Sequence, residues 1–225
     1  MKHNPLAASI AEASDNRERL LQAALLLFRG HGYHGVGVSD ILKGASLPKG
    51  SLYHHFPGGK DQIAVEVIAR VADSAIALIE HAQAPTTAAR VRKVGAQIQT
   101  WMVRTGDGTL ALLASFAAGG DTRPVVRAAV ADAYERIAAF IARYLRADGL
   151  TEAAARDRAF LVLALLEGGG LTSLACQQTR LFTKAVACAA SVCELPASAK
   201  TTSPAKPAQA AKPAMAKPMA RTSKS

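Results

Sequence analysis

Between Val125 and Leu145 the apolar residues return at Val126, Ala129, Val130, Ala133, Ile137, Phe140, Ile141 and Tyr144, every three or four positions. That spacing lays one apolar stripe along a helix, and such a stripe must be covered by other elements. The neighbouring segments keep the same period. DQIAVEVIARVADSAIALIEHA (61–82) ends before Pro85, TTAARVRKVGAQIQTWMVR (86–104) ends at Gly106, and TLALLASFAA (109–118) ends at Gly119-Gly120. Segments 152–175 and 178–193 join near Gln177-Gln178. From Lys60 to about residue 195 the chain therefore reads as one helix after another. Composition agrees: half of the residues are hydrophobic but only 5% are aromatic. Ala, Leu and Val supply the apolar content, whereas strands draw on β-branched and aromatic residues. The expectation is an all-α chain whose 225 residues suffice for one or two domains with a real core.

The first sixty residues are organised differently. RERLLQAALLLFR (17–29) places Leu20, Ala24, Leu27 and Phe28 on one face, with Asp15 or Asn16 as a cap and Gly30 just past the end. GHGYHGVGV breaks that helix. A short helix VSDILKGA (38–45) follows, then a turn at Ser46-Leu47-Pro48, with Pro48 suited to the first position of the next helix, KGSLYHHF (49–56). Pro57-Gly58-Gly59 ends it. These lengths fit a helix-turn-helix, with Ile41, Leu42, Leu47, Leu52 and Phe56 free to pack against 17–29. Lys49, Gly50, Ser51, Tyr53, His54 and His55 are left projecting outward, a face rich in donors and free of acids, as a major-groove reader requires. The plainer reading of the same pattern is a helical hairpin with a polar outer face.

Other chemistries fit PKGSLYHHFPGGK (48–60) poorly. Adjacent histidines on a helix point about 100° apart, so His54 and His55 do not easily share an ion. His31 and His34 lie among glycines with no nearby Cys or Glu, so no metal is expected. A phosphate loop needs Ser or Thr after its Gly-Lys, but Asp61 follows Lys60. Gly35-Val36-Gly37 lacks the rest of a dinucleotide fingerprint, and no cofactor is expected. Ser51, His54 and His55 share one short helix without an acid spaced to orient them, which argues against an enzyme.

Three cysteines, Cys176, Cys188 and Cys193, are odd in number and lack CxxC spacing, which fits a reduced, intracellular protein. Buried apolar thiols are the simple reading and redox sensing the alternative. The N-terminus lacks the apolar run of a signal peptide. AFLVLALLEGGGLTSLA (159–175) carries Glu167 and three glycines and reads as a buried helix, not a membrane span.

The formal charge of +10 points to a polyanionic partner but is unevenly spread. Six of the 27 basic residues, Lys200, Lys206, Lys212, Lys217, Arg221 and Lys224, lie after residue 196 with no acid among them. That leaves 21 against 17 acids in residues 1–196, a net of +4. This tail repeats AKPA and AKPM. Its proline density and lack of large apolar residues other than Met predict disorder with polyproline II character.

The stretch RLLQAALLLFRGHGYHGVGVSDILKGASLPKGSLYHHFPGGKDQIAVEVI (20–68) strongly resembles the DNA-binding region of TetR-family transcriptional regulators, and its PKGSLYHHFPGGK signature is similar to that of the LmrA/YxaF-like branch. The resemblance covers roughly residues 15–70. It implies about nine helices per chain in a homodimer that binds double-stranded DNA at a palindromic operator, in the bacterial cytoplasm and on the nucleoid. The domain division that follows is a flexible start (1–14), a DNA-binding domain (15–60) and a helical effector-binding and dimerisation domain (61–196), as the resemblance implies, with the compositionally distinct basic tail at 197–225. Dimerisation would use the last two helices, and a small-molecule effector would release the operator. By position, Lys49, Gly50, Ser51, Tyr53 and His54 match the recognition surface, while His55 matches a phosphate contact or a packing residue. Ser39 matches a base- or phosphate-contacting position, and Lys60 a lysine that grips phosphate. Many relatives begin the second helix with Thr, where this chain has Gly37, which offers no hydroxyl. The PGG connector is also one residue longer than usual, which bears on the aim of Lys60.

Trp101, Met102, Phe116, Tyr134 and Glu167 are candidates to line an effector pocket, with ordinary core packing as the rival role. Glu167 is the sharpest, because an acid amid LVLALLEGGGL is costly to bury without a partner. The Lys-Pro-Ala tail resembles those of linker histones and certain nucleoid-associated proteins. It suggests sequence-independent DNA affinity, or a mere solubilising linker. A nucleoid-type DNA packer is therefore a rival function, as is a regulator that activates or takes no ligand.

Overall fold

Nine helices and no strand make up the described residues, 5–105, 112–117 and 122–194, of a computed structural model of the chain. They are α1 (Pro5–His31), α2 (Val38–Ala45), α3 (Lys49–His55), α4 (Gly59–His81), α5 (Thr87–Thr105), α6 (Leu112–Ala117), α7 (Pro124–Ala147), α8 (Glu152–Ala175) and α9 (Thr179–Glu194). The tail cations and the glycines at 106, 119 and 120 lie outside the described residues.

α1 departs from expectation at its start. It is helical from Pro5, so Asp15 and Asn16 fall inside the helix and the stretch expected to be flexible is largely helical. Ala-rich LAASIAEA favours helix, and nothing forces a stop at a residue merely able to cap. α2 keeps the expected bounds. Gly37 caps it, and Asp40 closes half of a capping box by accepting the Gly37 N–H at 2.8 Å. At its other end Ser46 turns left-handed (φ +56°) and Leu47 donates back to the Leu42 carbonyl, a Schellman closure. Pro48 stands at the N-cap of α3 rather than inside its first turn.

Leu20, Ala24, Phe28, Ile41, Leu52, Phe56 and Ile63 are fully buried and join α1, α2, α3 and the start of α4 into one head. Charged clasps reinforce it. Arg70 grips Glu18 through two hydrogen bonds of 2.6 Å, which hold the Glu18 carboxyl down at about 2. Arg17 pairs with Glu66 and lies over the Phe56 ring, while Arg19 donates to the Ala45 carbonyl at 2.6 Å.

α4 runs on from the head into the larger unit, where it packs along α7, and α9 lies against both α5 and α8. Two glycines allow the latter approach. A Cβ at Gly169 would meet Ala185 Cβ at 2.2 Å, and one at Gly95 would meet the Val186 methyls at 2.5 Å. Gly169 thus serves packing within the chain, whereas a Cβ at Gly168 would meet nothing within 4 Å.

α8 corrects the reading of a buried helix. It is long and apolar enough to cross a membrane, yet only 28% of its most apolar window is buried. Leu161, Leu171 and Leu174 stand about half exposed, and with Ala164 and Gly168 they form an open apolar stripe at helical spacing. The thiols also differ from expectation. Cys176 and Cys188 are exposed, and only Cys193 is buried, with burial as the main cause that pushes its thiol up to about 11.

Candidate DNA-reading face and effector cavity

The head presents α3 outward. Lys49, Gly50, Tyr53 and His54 are exposed, Ser51 and His55 half-exposed, while Leu52 and Phe56 point the other way into the core. Tyr53 stands 57% exposed, its ring edge beside the first turn of α4 at Gly59. The rings of His54 and His55 meet edge to face at 5.0 Å, and His55 is shifted down by burial and by the charges of His54 and Arg17. Ser39 and Lys43 are exposed on α2. A seven-residue helix with a cation, hydroxyls, imidazoles and no acid offers donors to base edges and phosphates alike.

Lys60 sits differently from the lysine expected to grip a phosphate. Its ammonium is half-buried and donates to the carbonyls of Tyr33 and Val36, each at 3.1 Å, while lying 4.2 Å over the Tyr33 ring. It holds the α1–α2 loop against α4. No spacing rule marks such a contact, because both acceptors are backbone atoms.

The same loop meets the larger unit. Asp61 accepts from the Tyr33 hydroxyl and lies 3.2 Å from Arg123. His34 Nε2 is 3.1 Å from the Thr122 hydroxyl, which donates to the Phe116 carbonyl at 3.1 Å. Phe116 places its ring edge-on to Phe28 at 5.3 Å and 6.0 Å from Tyr33. α6 is thereby anchored to the head.

One turn earlier on α6, Leu113 reaches a cavity of about 510 Å³ between α4, α5, α7 and α8. That volume is in the range of small-molecule sites, and the walls are mainly Val, Leu, Ile and Ala. Of the residues expected to line it, Trp101 and Glu167 do. Met102 and Phe116 are core residues, and Tyr134 stands behind the wall, donating to Glu167 Oε2 at 2.6 Å. Burial raises the Glu167 carboxyl above the usual range, which favours its neutral form.

Thr87, Arg90, Gln97 and Tyr144 also line the cavity and were not foreseen. In the sequence TTAARVRK resembles a solvated helix start, yet Thr87 and Arg90 are buried. Arg90 Nη1 donates to the carbonyls of Ile79 and Glu80 at 2.8 and 3.2 Å, closing the last turn of α4, and the guanidinium lies 4.0 Å over the Tyr144 ring.

Comparison with known proteins agrees with both halves. Residues 20–67 match the model for bacterial regulatory proteins of the tetR family, and residues 87–188 match that for the C-terminal domain of LmrA/YxaF-like transcriptional regulators. The chain is 35% identical over 170 residues to the HTH-type transcriptional regulator LmrA of Bacillus subtilis (strain 168), covering 71% of this chain and 87% of the relative. It is 31% identical over 166 residues to YxaF of the same organism, covering 71% and 85%. Among solved structures, the reduced form of Escherichia coli NemR aligns with a TM-score of 0.68 at 22% identity, covering 79% of this chain and 97% of the other, a likeness of fold. TetR from Rhodobacter sphaeroides aligns with a TM-score of 0.65 at 25% identity, covering 78% and 97%. The outward α3, the helical body behind it and these matches together place the chain in the TetR family of DNA-binding transcriptional regulators, in its LmrA/YxaF-like branch.

Proposed function

We propose that the protein is a homodimeric repressor that leaves a palindromic operator when a small molecule fills the cavity. The observation that carries this reading is the pairing on α6, where Leu113 lines the cavity and Phe116, one turn on, packs against Phe28 and Tyr33 of the head. A ligand that displaces Leu113 changes the seat of the head, and two heads on adjacent major grooves tolerate little change in spacing. Lys49, Ser51, Tyr53 and His54 read bases and phosphates. Ser39, Gly50 and His55 flank the contact, and Lys60 holds the loop that aims α3. Trp101 and Glu167 contact the ligand.

The dimer forms through α8 and α9. An apolar stripe of Leu161, Ala164, Gly168, Leu171 and Leu174 left open on a helix is the kind of surface a second copy covers, and its small residues permit close approach. Selecting bound fragments from a random DNA pool and footprinting them is the test. A short inverted repeat, protected as two half-sites about one helical turn apart, is the expected result. Uniform protection without a preferred site would instead favour a DNA packer.

The tail is the observation that favours that second reading, and here it is assigned a supporting role. Its six cations add sequence-independent attraction that keeps the regulator on the nucleoid. Deleting residues 197–225 is expected to lower the slope of log affinity against log salt by roughly five per chain, at about 0.9 per phosphate neutralised, with operator preference retained. Titrations of operator and unrelated DNA at several salt concentrations check it, and an unchanged slope would leave the tail a mere linker.

A further inference from the structure

The cavity is chemically lopsided, and its two ends can be placed along α7. At one end, beside the head, stand Trp101, Leu113 and the Tyr134–Glu167 pair; at the other stand Thr87, Arg90 and Tyr144. Tyr134 and Tyr144 are ten positions apart on α7, so the ends are separated by about 15 Å at 1.5 Å per residue. Between them the walls are mainly aliphatic, with Ser74 and Gln97 as the polar exceptions, which leaves most of an occupant's middle against apolar side chains.

The far end holds an imbalance. Arg90 is 9% exposed, yet no carboxylate lies within ion-pair distance of it among the described residues. Its guanidinium contacts two carbonyls at the end of α4 and the face of Tyr144, while the Asp148 carboxylate at this end is taken up by the Thr87 backbone N–H at 2.7 Å. Its Nε, and the hydroxyl of Thr87 one turn away, are shut off from solvent and lack any hydrogen-bond partner. Buried donors without acceptors are rare and costly, and a buried cation without an anion more so. Two such groups on one turn of α5, both in the wall of one cavity, form a receptor for an anionic oxygen.

We propose that the cavity takes an elongated, mostly apolar molecule bearing one carboxylate-like group, seated against Arg90 and Thr87 with its apolar body running toward Trp101. This assignment rests on the effector-cavity reading above and adds the chemical class of the ligand. Glu167 lies at the opposite end, held by the Tyr134 hydroxyl and away from the seat of the ligand's carboxylate. The carboxylate supplies Arg90 with the counter-charge it lacks, and a rotation about χ1 brings the Thr87 hydroxyl onto the same group.

Trp101 makes the test direct, because it is the only tryptophan in the chain and it lines the cavity. The full-length protein is titrated with decanoate, 1-decanol and decylamine below their aggregation limits while Trp101 fluorescence is followed. Decanoate is expected to bind at least about tenfold more tightly than decanol, the lower bound for a hydrogen bond to a charged group, and decylamine most weakly. In Arg90→Gln the acid's advantage over the alcohol should vanish while decanol binds as before. Equal or tighter binding of decanol to the wild type would overturn the anion receptor and leave the cavity reading standing. If no probe perturbs Trp101, both readings fall together. The wild-type comparison decides even if Arg90→Gln does not fold, and Arg90→Lys, which keeps the charge, should retain part of the preference.

Discussion

Replacing Tyr53 by Ala should lower operator affinity at least about thirtyfold, since each base contact is worth about 1–3 kcal/mol and a dimer loses it twice. Thermal unfolding of the variant should coincide with that of the wild type. The ring is 57% exposed on the outward side of α3, whereas Leu52 and Phe56, which hold that helix to the head, are fully buried. Substitutions on such a surface usually change stability by less than 0.5 kcal/mol either way. Gel-shift titration on the selected operator, alongside unrelated DNA of equal length, separates loss of reading from loss of charge. Affinity for unrelated DNA should hardly move, because the cations stay. A variant that still prefers its operator would mean that the reading surface lies elsewhere on the head.

The double variant Leu161→Asp, Leu171→Asp should sediment as a monomer. Both residues are about half exposed on α8, so carboxylates there meet water in the isolated chain and a facing carboxylate only in the dimer. Secondary structure should persist, since the fully buried positions of α8, such as Ala155, Ala159 and Val162, are untouched. The consequence for DNA is larger than the change at the interface. Joining two heads makes the second half-site contact intramolecular, which multiplies affinity by about 10²–10⁴. A monomer forfeits that gain, and operator binding should drop accordingly when measured below the dissociation concentration. A double variant that still sediments as a dimer would move the interface to another face.

Much of this architecture was legible because it depends on local rules. α2 was readable to the residue, since Val38, Ile41 and Leu42 mark its inner face and Gly37 and Ser46 its ends. The reading face of α3 followed from the opposite placement of Leu52 and Phe56. α1 was harder, because Asp15 and Asn16 can cap a helix but need not when Ala-rich sequence precedes them. The cavity was legible only in part. Trp101 and Glu167 line it, but Met102, Phe116 and Tyr134 lie on faces that a 3.6-residue period marks as inward without saying whether inward means core or cavity. Arg90 and Thr87 escaped notice because their burial depends on how α5 folds back on the end of α4 and on Tyr144, which no helical period marks. The inward turn of the Lys60 ammonium onto backbone carbonyls was equally invisible, since every residue type carries those acceptors.

Arg90 also sets a pivot. It fastens the last turn of α4 through the carbonyls of Ile79 and Glu80, while the other end of the same helix carries the head, locked to it by the Glu18–Arg70 clasp and by Lys60. With 23 residues, α4 is a rod of about 35 Å at 1.5 Å per residue. Swinging such a rod by about 5° about its fastened end carries the other by about 3 Å, close to the 3.4 Å step from one base pair to the next. On the proposed reading, a molecule seated against Arg90 would act where that rod is fastened. A helix of this length would then turn a small tilt at its fastened end into a displacement of base-pair size at the head.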